Sequence, residues 1–184
     1  MSSTIAAKST PARKAKAGKP KLAVASKAAP AVAKAVLQQK ATPLKYGKVF
    51  LASRAERFNL IDKGVPAQTL LSTIRDLGLT QDRTFKILGF PRSSILKKIT
   101  ARRVLERDES TLVVGLRRLI GQVEIMVAES GDPEGFNAAK WIAGWMETPN
   151  PALAGKCPAD YMHLPEGQEM LSQLLAQMQS GAYA

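Results

Sequence analysis

The chain has 184 residues, a net charge of +12 and one cysteine, enough for one modest domain or two small ones plus a tail. Cys157 alone excludes an intramolecular disulfide and a cysteine-based zinc site, and no apolar run reaches the 18 or so residues that a spanning helix needs. The charge is polarised: residues 1–48 hold eleven Lys and Arg and no acid, whereas residues 148–184 hold one Lys and three acids. That division suggests a polyanion partner for the front and a different partner for the rear.

Residues 1–48 are rich in Ala, Lys, Pro and Ser. Such a segment buries too little apolar area to offset its backbone entropy, so a disordered basic tail is expected. It has no apolar core of the secretory-signal kind, which points to a cytoplasmic protein, nucleoid-associated when bound to DNA. The tail serves either solubility or as an arm along phosphates, each contact then adding a salt-dependent increment of affinity.

From Tyr46 onward the pattern is helical, and an all-α fold is expected: there is no sustained period-two run of β-branched residues. Pro66 reads as the first residue of a helix over Gln68–Leu77, with Leu70, Leu71, Ile74 and Leu77 on one stripe and Gly78 as its stop. Thr80 caps the next helix, Asp82 lies in its first turn, Phe85, Ile87 and Leu88 give its apolar side, and Gly89 ends it. After the tight Gly89-Phe90 connection, Pro91 opens a second short helix, the arrangement of a helix-turn-helix. Arg92, Ser93 and Ser94 would meet base edges, while Lys97, Lys98, Arg102 and Arg103 would meet phosphates.

Asp108-Glu109-Ser110 is expected to cap a longer helix, roughly 109–129, whose stripe Leu112, Leu116, Leu119, Val123 and Met126 suits a core and also a self-pairing face. Asp132-Pro133-Glu134 reads as the start of a helix carrying Phe136, Ala139, Trp141, Ile142 and Trp145. A rigid Thr148-Pro149-Asn150-Pro151 corner follows, then a loop through Leu153, Gly155 and Pro158, then an amphipathic helix that stops at Gly181. With little charge, Trp141–Ala184 reads as a docking surface.

The run Trp141, Thr148-Pro149-Asn150-Pro151-Ala152-Leu153, Gly155, Pro158, Gly167, Leu174-Leu175 and Gly181-Ala182-Tyr183-Ala184 closely resembles the C-terminal toxin-binding domain of Xre/MbcA/ParS-type antitoxins. Upstream the resemblance continues through Leu77-Gly78-Leu79, the Gly89 turn, Leu105 and Glu109-Ser110, covering about residues 60–184. It implies a type II antitoxin whose partner is a RES-domain toxin, a class that consumes NAD or transfers ADP-ribose from it. It also implies operator binding that represses the operon, with the extreme C-terminus at or near the toxin's cleft. The expected division is a basic tail (1–48), a helix-turn-helix and dimerisation region (49–130) and a toxin-binding domain (131–184), in a homodimer. The residues expected on the toxin are Trp141, Pro149, Asn150, Pro151, Leu153, Leu171, Leu175, Gly181, Tyr183 and Ala184. Ala154 departs from the family, where a Gly-Gly pair is commoner. The basic tail is no family feature.

Cys157, Asp160 and His163 lie too close in one loop for tetrahedral metal geometry, and nothing marks an oxyanion hole. No enzyme activity, metal or cofactor is expected. Two competing functions stay open at this point: a basic-tailed architectural DNA-binding protein, and a solitary helix-turn-helix regulator.

Overall fold

The computed structural model describes residues 45–131 and 133–181. The expectations for the tail up to residue 44, for Asp132, and for Tyr183 and Ala184 lie outside the described residues. Within them the chain is all-helical: α1 (Gly47–Leu51), α2 (Arg54–Asp62), α3 (Ala67–Leu77), α4 (Gln81–Leu88), α5 (Arg92–Thr100), α6 (Arg107–Ser130), α7 (Ala138–Glu147) and α8 (Pro165–Ser180). Two short 3₁₀ turns, Pro151–Leu153 and Pro158–Tyr161, fill the α7–α8 connection, and an antiparallel bridge joins Pro66 to Val104.

The ends of these helices follow local rules. Thr80 accepts the Arg83 N–H at 3.2 Å, and Gly78, Gly89, Gly131 and Gly181 end their helices with positive φ, where a Cβ would be strained. Pro66 and Pro91 stand one residue outside their helices rather than as first helical residues. Pro66 is held extended by its bridge to Val104, and Pro91, at ψ 113°, offers its carbonyl to Ile95 as the first helical acceptor. The α6 start is likewise earlier than the Asp108–Ser110 expectation, because the Glu109 carboxylate reaches back to the Glu106 N–H at 2.8 Å. No helix begins at the predicted start: after Asp132, which lies outside the described residues, Pro133 and Glu134 enter only a turn, broken by Gly135 at φ 75°. The helix begins instead at Ala138, where Asn137 Oδ1 accepts the Lys140 N–H at 3.0 Å.

One apolar core runs through the described residues, with α6 as its spine packing on α1, α2, α7 and α8. Leu112, Leu116, Leu119 and Val123 are buried within the monomer and Met126 is half-buried against the same core, so the stripe expected to suit a core and also a self-pairing face is mostly core. Buried polar pairs fix the register of α8 on α6. Ser172 Oγ donates to Gln122 Oε1 at 2.7 Å, Gln122 Nε2 donates to the Ser172 carbonyl at 2.9 Å, and Gln168 Nε2 donates to the carbonyls of Leu112 and Met162. Gly115 makes room for that amide, since a Cβ there would sit 1.6 Å from Gln168 Oε1.

The folded region starts before residue 49. Tyr46 is buried, its N–H and that of Gly47 donate to Glu124 at 2.8 and 2.7 Å, and its hydroxyl donates to Asp76. The Arg117 guanidinium lies over the Tyr46 ring at 4.7 Å and also donates to Thr73 Oγ1 at 2.9 Å. Burial, aided by the Asp76 carboxylate, pushes the Tyr46 phenol well above its ordinary range. Burial also raises the Glu124 carboxyl, against the two backbone N–H groups that favour its charged form. Tyr46 and Gly47 therefore belong with the helical region read from Tyr46 onward, and not with a tail extending to residue 48.

Candidate functional site

Two surfaces carry the chemistry. The first is built on α5. Helices α4 and α5 are joined by Gly89-Phe90-Pro91, in which the Phe90 N–H closes on the Phe85 carbonyl at 2.8 Å and Phe90 itself is buried. Gln68 Nε2 donates to the Ile99 carbonyl at 3.2 Å, and the Ala67 N–H donates to the Arg103 carbonyl at 3.0 Å, so α3 grips the far end of α5. Between these holds, α5 and the turn after it line an open groove of about 840 Å³ with Ser93, Ser94, Lys97, Lys98, Thr100 and Arg103. Arg102 stands beside it with φ 50°, a left-handed conformation uncommon for a residue with a Cβ.

The seven residues predicted for this face are not equivalent. Ser93, Lys97, Arg102 and Arg103 are exposed, and Ser94 is half-buried in the groove. Arg92 is exposed but bound to Asp82, Nε to Oδ1 at 2.6 Å. Lys98 departs from the expectation: its Nζ is held 2.7 Å from Glu109 and 3.3 Å from Glu106, and its side chain is only 15% exposed. Burial works against its charge, yet the two carboxylates more than offset it and raise its pKa. The N-terminus of α6 uses this lysine to seat α5, so that where it lines the groove its charge is already paired.

The second surface begins on α7. Trp141 is 37% exposed and stacks on the half-buried Trp145, with centroids 6.1 Å apart and planes 12° from parallel. At the end of α7, Arg83 of α4 clamps Glu147 with two bonds of 2.8 and 2.6 Å, so the helix-turn-helix directly holds the root of the following loop. Arg83 keeps the Glu147 carboxyl below its usual range. The loop then closes on Asn150, whose Oδ1 accepts the Ala152 N–H at 2.9 Å, whose N–H reaches the Lys156 carbonyl at 3.0 Å, and whose carbonyl takes the N–H groups of Leu153 and Gly155, each at 3.0 Å. Leu153 pins the loop to the core, and consecutive left-handed residues, Ala154 (φ 54°) and Gly155 (φ 78°), turn it back.

The residues and geometry agree with comparisons to known proteins. Residues 56–118 match the antitoxin Xre-like helix-turn-helix domain, and residues 131–181 match the antitoxin Xre/MbcA/ParS C-terminal toxin-binding domain. The "Prs ADP-ribosylating antitoxin" of Sphingobium sp. (strain YBL2) is 40% identical over 142 residues, covering 77% of this chain and 89% of that protein. The chain belongs to the Xre/MbcA/ParS antitoxin family.

In this antitoxin the loop residues Pro149 and Pro151 are exposed and Asn150, partly exposed, works as the loop's closure. Leu153, Leu171 and Leu175, expected from the sequence to face a partner, are instead 6%, 0% and 0% exposed. The α8 stripe faces α6, so these three shape the surface from beneath and present nothing themselves. Gly181 ends α8 at φ 68°. The antitoxin's two modules also meet at the Gly89 turn, where a Cβ would lie 3.2 Å from His163 Cβ. Sequence reasoning misses Arg83 and Glu147, because a pair 64 positions apart leaves no local pattern.

Proposed function

We propose that this antitoxin neutralises a RES-domain toxin, one that consumes NAD or transfers ADP-ribose from it, and represses its own operon as a homodimer on operator DNA. We read it as a binding protein without catalysis of its own, with no cofactor. The observation that carries the toxin side is the Asn150-closed loop, which presents Pro149 and Pro151 on a pre-set backbone after the helix that carries the exposed Trp141. A loop already fixed before binding loses little entropy on association. The name of the Sphingobium relative, which couples "antitoxin" with "ADP-ribosylating", favours a toxin of that chemistry. The resemblance adds the last residues, Gly181 to Ala184, with Tyr183 as a buried anchor.

On the DNA side, Ser93, Ser94 and Arg92 would read base edges, and Lys97, Arg102 and Arg103 would hold phosphates. The test is deletion of residues 181–184 and, separately, Trp141→Ala. Both should lose protection of cells against the cognate toxin while operator affinity stays within about twofold, because DNA contact lies on α5. Full protection by both variants refutes the assignment of the toxin face. The eleven Lys and Arg of residues 1–48, unopposed by acid, favour a second reading as an architectural DNA-binding protein. That reading requires near-equal affinity for operator and random duplex, whereas a repressor holds a preference of about 10³ or more.

A further inference from the structure

Helix α2 (Arg54–Asp62) is anomalous among the described helices: it has no buried residue. Phe58 is 64% exposed and Leu60 42%, and only Ile61 and Arg57 are partly covered. Helices this short are marginal on propensity, and the Ser53–Glu56 capping box helps one end only. Beside the other end stands a further exposed apolar side chain, Val104, at 51%, packed on Gly64.

The sequence of α2 is self-complementary about Phe58. Arg54, Phe58 and Asp62 are spaced i, i+4, i+8 and share one face. A two-fold axis through Phe58, with two copies of α2 antiparallel, sets Phe58 against Phe58 and Arg54 against Asp62 in both directions, while Ile61 stays packed on the core of its own chain. Arg54 forms no ion pair within 4 Å among the described residues, though its charge acts on Glu169, a carboxylate held low chiefly by Arg118. Asp62 binds Arg107 within its own chain, an exposed pair that leaves the carboxylate open to a second cation. The stripe on α6 is mostly spent on the core, with only Met126 of it half-exposed.

We propose that α2 is the homodimer interface, with a second copy of this chain as its occupant, Phe58 at the two-fold axis and two Arg54–Asp62 bridges across it. Rotational symmetry makes such an interface self-matching, as it must be. Nine residues at 1.5 Å each give a contact about 14 Å long, so the interface falls short of the roughly 800 Å² per partner of a standard complex. The dimer is accordingly a weak one in free solution. It rests on the reading of the protein as a two-fold repressor only for its purpose.

Sedimentation equilibrium of the full chain, without DNA or toxin, tests it apart from that reading. The wild type should show a monomer–dimer equilibrium, and Phe58→Asp should weaken it by about a hundredfold, as expected for loss of a central anchor. Arg54→Asp should weaken it about tenfold or more by facing two carboxylates, and Arg54→Asp with Asp62→Arg should restore it to within about threefold by swapping the pair. All the substituted positions are at the surface, so circular dichroism should report the same fold for each variant. A wild type that stays monomeric at 100 µM, or a dimer indifferent to Phe58→Asp, overturns the proposal. So does loss in Arg54→Asp that the charge swap leaves unrestored, or retained dimerisation in Phe58→Asp with toxin binding lost instead.

Discussion

Replacing Gly121 with Ala puts a Cβ 2.3 Å from the Tyr46 carbonyl oxygen and 2.7 Å from its carbonyl carbon. Both are backbone atoms, so the segment carrying Tyr46 must withdraw from α6. Withdrawal exposes a ring now 2% exposed and breaks the two N–H bonds to Glu124. Burial of a side chain this size is worth about 2 kcal/mol and each hydrogen bond to a carboxylate about 1.5 kcal/mol, while Ala in place of helical Gly returns about 1 kcal/mol. Full release of the segment therefore costs about 4 kcal/mol, and partial re-seating costs less. Urea unfolding followed by circular dichroism measures the change, with Tyr46→Ala and the double variant alongside. Because both substitutions break the same contact, the double variant should be scarcely less stable than the worse single one. Gly144, where an added Cβ would meet nothing within 4 Å, is the control, and Gly144→Ala should gain about 0.5–1 kcal/mol. A Gly121→Ala protein as stable as wild type, or strictly additive losses in the double variant, refutes the close-approach argument.

Lys97→Gln should lower operator affinity and reduce the slope of log K against log salt by about 0.9, whereas Lys98→Gln should leave the slope unchanged and cost about 1 kcal/mol of stability. Filter binding at several salt concentrations separates them, and equal slopes for the two variants would contradict the assignment of Lys98 to the fold. Ala154→Gly should raise stability by about 0.5–1 kcal/mol, because a left-handed residue with a Cβ costs about 1–2 kcal/mol and Gly returns part of that as entropy; a lower melting temperature would count against it. The Glu147 carboxyl is held below its ordinary value of 4.5 by Arg83, so its contribution is present above pH 4.5 and lost as pH falls through the depressed value. The stability gap between wild type and Glu147→Gln, at most about 1 kcal/mol for so exposed a pair, should therefore be level above pH 5 and shrink on acidification. A gap that widens below pH 4.5 would show the sign to be wrong.

The helices of the DNA-binding module were legible because their signals act within four residues. Thr80, Gly78 and Gly89 satisfy or release backbone groups on their own turn, and the i, i+3, i+4 spacing of Leu70, Ile74 and Leu77 needs no partner to be seen. The same local reasoning failed after Asp132, where the helix expected from Pro133 and Glu134 is turned away at Gly135. It also recognised the Asn150 loop but not how that loop closes.

Sequence by itself determined the all-helical class, the polarity of charge, and the two motif-bearing regions, since each depends on composition or on neighbours along the chain. Tertiary structure alone decided which motif residues face outward. Leu171 and Leu175 went to the core because α6 presents the matching apolar stripe, and Lys98 went to Glu109 because α6 starts beside α5. Tyr46 joined the fold because Gly121, 75 residues on, lets its backbone reach the Glu124 carboxylate. Contacts of that kind are fixed by how helices pack in space, which spacing along one helix does not encode.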